Sequence, residues 1–151
     1  MSPDTYNWLR VWLRVGHVVG FVLWIGGLVA VLQLLRVHGA VEGAARDVLA
    51  RHERKMAVLM DAGATLTLVC GFVTALGGTT NYFKTGAWLH IKVTLVAIVI
   101  VGVHGWSRAT VRKFRKGDVR PVSPGLTWAV LIAAAGIILL GAHHGLLRKG
   151  G

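Results

Sequence analysis

The chain has 151 residues, of which 54% are hydrophobic, 15% charged and 20 glycine, and its mean hydropathy is +0.62. One domain fills that length, the low charge excludes intrinsic disorder, and a water-soluble domain would carry roughly a quarter of its residues charged. The charges are lopsided, 17 Lys and Arg against 6 Asp and Glu for a net +11. That balance suits an integral membrane protein whose loops meet anionic lipid, and no soluble basic face for nucleic acid stands out. Cys70 is the single cysteine, so an internal disulfide, Cys-ligated zinc and iron–sulfur chemistry are excluded, and a small packing residue is expected there.

A bilayer core needs about 20 mostly apolar residues per helix. Four stretches supply them, 15–35, 56–76, 87–107 and 126–147, which predicts an all-α, four-helix membrane bundle forming a single domain over 1–151. Arg10 and Arg14 precede the first span, but its length exceeds a signal peptide's apolar core and no small-residue cleavage pattern comes after it, so it is expected to be retained. The loop over 38–55 is polar, and Val41, Ala45, Val48 and Leu49 are spaced for a short amphipathic helix on the membrane surface. The loop over 77–86 is short and rich in Gly and Thr. The third span ends in the basic stretch 108–124, where Pro121 and Pro124 mark the start of the fourth helix. Cations concentrate on one side (Arg36, Arg46, Arg51, Arg54, Lys55 and the run from Arg108 to Arg120) against Arg10, Arg14, Lys84, Lys92, Arg148 and Lys149 on the other. The positive-inside rule then puts the loops after the first and third spans in the cytoplasm and both termini outside, with a bacterial inner membrane as the expected setting.

Ionisable groups inside spans are costly and so are functional candidates. They fall at two depths. His17, His90, Lys92, His143 and His144 lie toward the outer side; Gln33, Asp61 and His104 lie toward the inner side, with His38 and His52 as loop residues beyond them. A flat apolar cofactor held by imidazoles from facing helices explains the layering, and haem b is such a group. His17 with His90, or His17 with His143, meets the requirement for two ligands at one depth. On a regular α-helix His90 and His104 are about 40° apart in azimuth and roughly 21 Å apart along the axis, so one helix could serve a haem in each leaflet. Gly16 and Gly20 flank His17, and Gly141 and Gly145 flank the His143 pair; glycine there lets a helix or a porphyrin plane approach closely. Trp24 and Gly27 share the face of His17. Trp8, Trp12 and Trp88 suit an interfacial belt. Asp61 needs a partner or a proton, and Arg54, Lys55 and Arg108 are candidates.

The pattern from His17 through Trp24, Gly26 and Gly27 to His38 resembles the first helix of HemJ-type protoporphyrinogen IX oxidases. Glu53-Arg54-Lys55-Met56 is similar to the start of their second helix, Trp88-Leu89-His90-Ile91-Lys92 to their Trp-Leu-His-x-Lys signature, and His104-Gly105 to the His-Gly farther along the same helix. Three positions depart: Leu32-Gln33 replaces Pro-Arg, Ala57 replaces an aromatic, and Gly63 replaces a proline, while Asp61 has no counterpart. Gln33 cannot supply the bidentate cation that an arginine offers a propionate. The resemblance implies a haem b redox protein that oxidises protoporphyrinogen IX to protoporphyrin IX and passes electrons to a membrane acceptor such as quinone. It makes His17 and His90 haem ligands or pocket bases, pairs Lys92 with a carboxylate, and gives proton handling to His104 or Asp61. CopD-like copper proteins share the helix and histidine layout, so copper bound by the outer histidines is the alternative cofactor. A haem-bearing electron-relay subunit is a third reading, and a homodimer is one assembly open to so thin a bundle.

Overall fold

The computed structural model describes residues 3–76 and 87–147. Its elements are α1 (Pro3–His38), α2 (Ala44–Leu76), α3 (Ala87–Leu95), a π-helical stretch (Val96–Val101), α4 (Gly102–Phe114) and α5 (Gly125–Leu147), with no strand among the described residues. Four helical runs are long and apolar enough to cross a membrane: Thr5–His38, Ala44–Leu76, Leu89–Phe114 and Gly125–Ala142. The protein is therefore an integral membrane helical bundle, as the hydropathy pattern predicts. The loop expected over 77–86, with Lys84, lies outside the described residues, as do Arg148 and Lys149.

Two expectations about helix extent are corrected. α1 begins at Pro3, well before the apolar span, because Pro fits the first turn of a helix and nothing up to His38 breaks the helix. No separate surface helix comes after the first span: Ala45, Val48 and Leu49 form the opening turns of α2. The turn sits earlier, at Gly43, whose φ of 63° favours glycine.

α1 and α2 form an antiparallel hairpin that carries most of the core. Trp24, Leu28, Val31, Leu35 and His38 are buried at alternating four- and three-residue steps on α1, and Glu53, Ala57, Met60, Ala64 and Thr67 repeat the same steps on α2. Such spacing keeps one seam facing its partner. The helices touch backbone to backbone at Gly20 and Gly63. A Cβ on Gly20 would lie 2.6 Å from the Thr67 nitrogen, and one on Gly63 would lie 2.9 Å from the Gly20 oxygen. Small residues here permit close approach, which accounts for the glycine at position 63; Ala57 is buried on the same seam. Cys70 is buried and free, packed against Gly16.

The third span is broken by the π-helical stretch. A π-bulge absorbs about one extra residue and so rotates the residues beyond it by about 100°. That corrects the expected alignment of His90 and His104: they end about 140° apart, while Lys92 and His104 come to within about 20°. Both of the latter then face α1.

Candidate functional site

The inner-layer residues converge. Trp24, 1% exposed, sits on the buried seam of α1, and its Nε1–H donates to His104 Nδ1 at 3.0 Å. The two rings meet edge to face, 5.9 Å between centroids. Indole N–H is only a donor, so His104 Nδ1 must accept, and the imidazole proton is assigned to Nε2. That nitrogen lies 3.3 Å from Asp61 Oδ1, and Arg108 holds the other oxygen, Oδ2, at 3.2 Å. A relay thus runs from buried indole through imidazole to a carboxylate that is 40% exposed at the side of the bundle. Of the three partners expected for Asp61, Arg108 is the one observed, and His104 joins it. Neither Arg54 nor Lys55 makes an ion pair among the described residues.

The relay has a weak point at its buried end. Trp24→Phe keeps most of the apolar contact but leaves His104 Nδ1 without its donor, which should cost about 1–3 kcal/mol. Unfolding titrations in detergent micelles measure this, and a cost below about 0.5 kcal/mol would mean the hydrogen bond is dispensable.

The outer layer is built around His17. Its Nδ1–H donates to the Thr67 carbonyl at 2.8 Å, and Gly71 makes room for the ring, because a Cβ there would lie 2.9 Å from it. This bond leaves the Nε2 lone pair available, the arrangement a metal-ligating imidazole usually adopts. Lys92 is half-buried and close enough to His17 to interact with it electrostatically. His90, two residues from Lys92 and about 200° around the helix, is exposed. His143 lies within α5, but its side chain, like those of His144 and Trp88, falls outside the described part of the structure. Lys92 makes no carboxylate contact among the described residues. Gly20 and Gly27, expected to flank a cofactor, face α2: a Cβ on Gly27 would meet the Met60 backbone at 2.9 Å. Among the described residues no three His, Cys, Asp or Glu side chains gather as a metal site.

A further polar pair departs from expectation. His38 is a buried helical residue, not a loop residue, and its Nδ1 lies 2.6 Å from Glu53 Oε1. The Phe114 ring packs edge-on against it at 5.1 Å. The seam spacing on both helices is the sequence signal that places this pair. His52 is exposed and donates from Nδ1 to the Val48 carbonyl.

The chain is similar to two curated bacterial proteins named protoporphyrinogen IX oxidase. It is 22% identical to that of Synechocystis sp. over 122 residues, covering 76% of this chain and 57% of that protein. It is 27% identical to that of Helicobacter pylori over 119 residues, covering 76% of this chain and 78% of that protein. This chain thus spans a little over half the length of the first relative. No family model matches it, and no solved structure does.

Proposed function

We propose that this protein is a membrane oxidoreductase that dehydrogenates a porphyrinogen of the protoporphyrinogen IX type. The observation that carries the reading is the Trp24–His104–Asp61–Arg108 relay, a fixed proton-handling group at the side of an otherwise apolar bundle; the names of the two relatives give it a substrate. Dehydrogenating a porphyrinogen removes electron pairs together with protons from its bridging carbons and ring nitrogens. Asp61, reachable from the bilayer, accepts protons. His104, already protonated at Nε2, orients Asp61, and Trp24 locks the imidazole in that tautomer. Arg108 balances the carboxylate charge. Lys92 and His17 form a separate layer about 10 Å away along α1, given the seven residues between His17 and Trp24.

The donor set offers haem b an imidazole at His17, whose Nε2 is available; His90 is turned to the other side of its helix, which leaves His143 as the candidate second ligand. Haem, when bound, supplies the electron-accepting centre, and a quinone of the membrane is the terminal acceptor. In this reading the cationic loops lie in the cytoplasm and both termini outside.

The test is activity of the purified protein on protoporphyrinogen IX with a quinone, monitored by product fluorescence. Asp61→Asn should lower kcat by about 10²–10⁴-fold, the usual contribution of a positioned acid–base group. Wild-type protein that is folded yet inactive on porphyrinogen would overturn the proposal. His17→Ala should abolish the Soret band, and an unchanged spectrum would remove His17 from the ligand set.

A further inference from the structure

The cationic end of α2 holds a feature that the Trp24–His104–Asp61–Arg108 relay does not use. Arg51, Arg54, Lys55 and Val58 border a shallow, open cleft of about 450 Å³ on the exposed side of α2, where three- and four-residue spacing sets them together. None of these cations is ion-paired among the described residues. Two acids on α2 are engaged elsewhere, Glu53 turning inward to His38 and Asp61 holding His104 and Arg108; Asp47, one turn before Arg51, makes no ion pair among the described residues and leaves the three cations a net positive group. Three like charges held within one turn repel one another, and an anion docking there relieves that repulsion. Arg54, Val58 and Asp61 succeed one another by four and three residues, so the charged cleft and the proton-accepting carboxylate share a stripe, roughly 10 Å apart along the axis.

We propose that this cleft binds the carboxylates of the tetrapyrrole. The propionate groups dock on Arg51, Arg54 and Lys55, the apolar ring lies along Val58, and its bridging carbons extend toward Asp61. The assignment rests on the porphyrinogen oxidase reading. Arginine forks suit paired carboxylate oxygens, and apolar surface beside them suits the ring.

Binding separates this assignment from the oxidase reading. The full chain in nanodiscs of phosphatidylcholine is titrated with protoporphyrin IX and, separately, with its dimethyl ester, with porphyrin fluorescence as the readout. A variant combining Arg51→Gln, Arg54→Gln and Lys55→Gln should bind protoporphyrin IX at least tenfold more weakly than wild type, while the diester binds both proteins alike. Equal affinity of wild type and variant for the free acid overturns the proposal. So does a variant that keeps its porphyrin affinity but loses enrichment of added phosphatidylglycerol, since the cleft would then be a lipid headgroup site. If the wild type binds porphyrin in a carboxylate-dependent way but does not oxidise porphyrinogen, the docking stands and the oxidase reading falls. If it oxidises and the triple variant keeps the wild-type KM, the docking falls alone.

Discussion

Replacing Glu53 with alanine should lower the free energy of unfolding by about 3–5 kcal/mol, because it empties a fully buried site and takes the hydrogen-bond partner from a buried imidazole. Glu53 is fully buried and His38 is 1% exposed, so losing the carboxylate leaves the imidazole deep in the packed interior. Neither Nδ1 nor Nε2 of His38 would then have a partner among the described residues, since Nε2 has none even with Glu53 present. The pair ties the C-terminus of α1 to the start of α2, with Phe114 of α4 closing over it. Unfolding by titration with a denaturing detergent in mixed micelles gives the number. The double replacement His38→Leu with Glu53→Met should recover much of the loss, because similar apolar volume can substitute for a buried pair. A single-variant cost below about 1 kcal/mol would show that water reaches the pair.

The second large effect concerns the α1–α2 contact. Gly63→Val should destabilise by about 3 kcal/mol or more, at the upper end of overpacking costs. A Cβ at Gly63 would sit 2.8 Å from the Leu23 carbonyl carbon and 2.9 Å from the Gly20 oxygen. These are backbone atoms, which no rotamer change moves aside, so the helices must separate along the seam. Gly26→Ala is the control. It lies on the exposed face of α1 with nothing within 4 Å, and replacing a helical glycine there should stabilise by up to about 1 kcal/mol. Similar thermal stability for Gly63→Val and wild type would refute the close contact.

Much of the architecture is legible without coordinates. Hydropathy locates the four spans, and the cost of an ionisable group in lipid singles out His17, Asp61, Lys92 and His104. The partner for Asp61 is half legible: Arg108 can be nominated, but His104 reads as a separate proton carrier because helix spacing alone does not reveal which groups touch across helices. His38 escapes for a different reason. Its place in a polar stretch suggests a loop, although it continues the seam of Trp24, Leu28, Val31 and Leu35. Glu53 likewise continues the seam of Ala57 and Met60.

What the sequence by itself determined is the class: a small, apolar, basic helical bundle with polar groups at two depths, because burying about 20 apolar residues in lipid tolerates few other solutions. The tertiary structure decided which polar groups meet. The run Val96–Val101 reads as ordinary apolar helix, yet its π-helical turn rotates Lys92 and His104 onto the face toward α1 and carries His90 away. Azimuth accumulates residue by residue, so one extra residue in a single turn re-aims every side chain beyond it. Gly16, Gly20 and Gly27, which suggested room for a porphyrin, are filled by α2, because an absent side chain permits any close neighbour, and only the packing of α1 on α2 settled which one came.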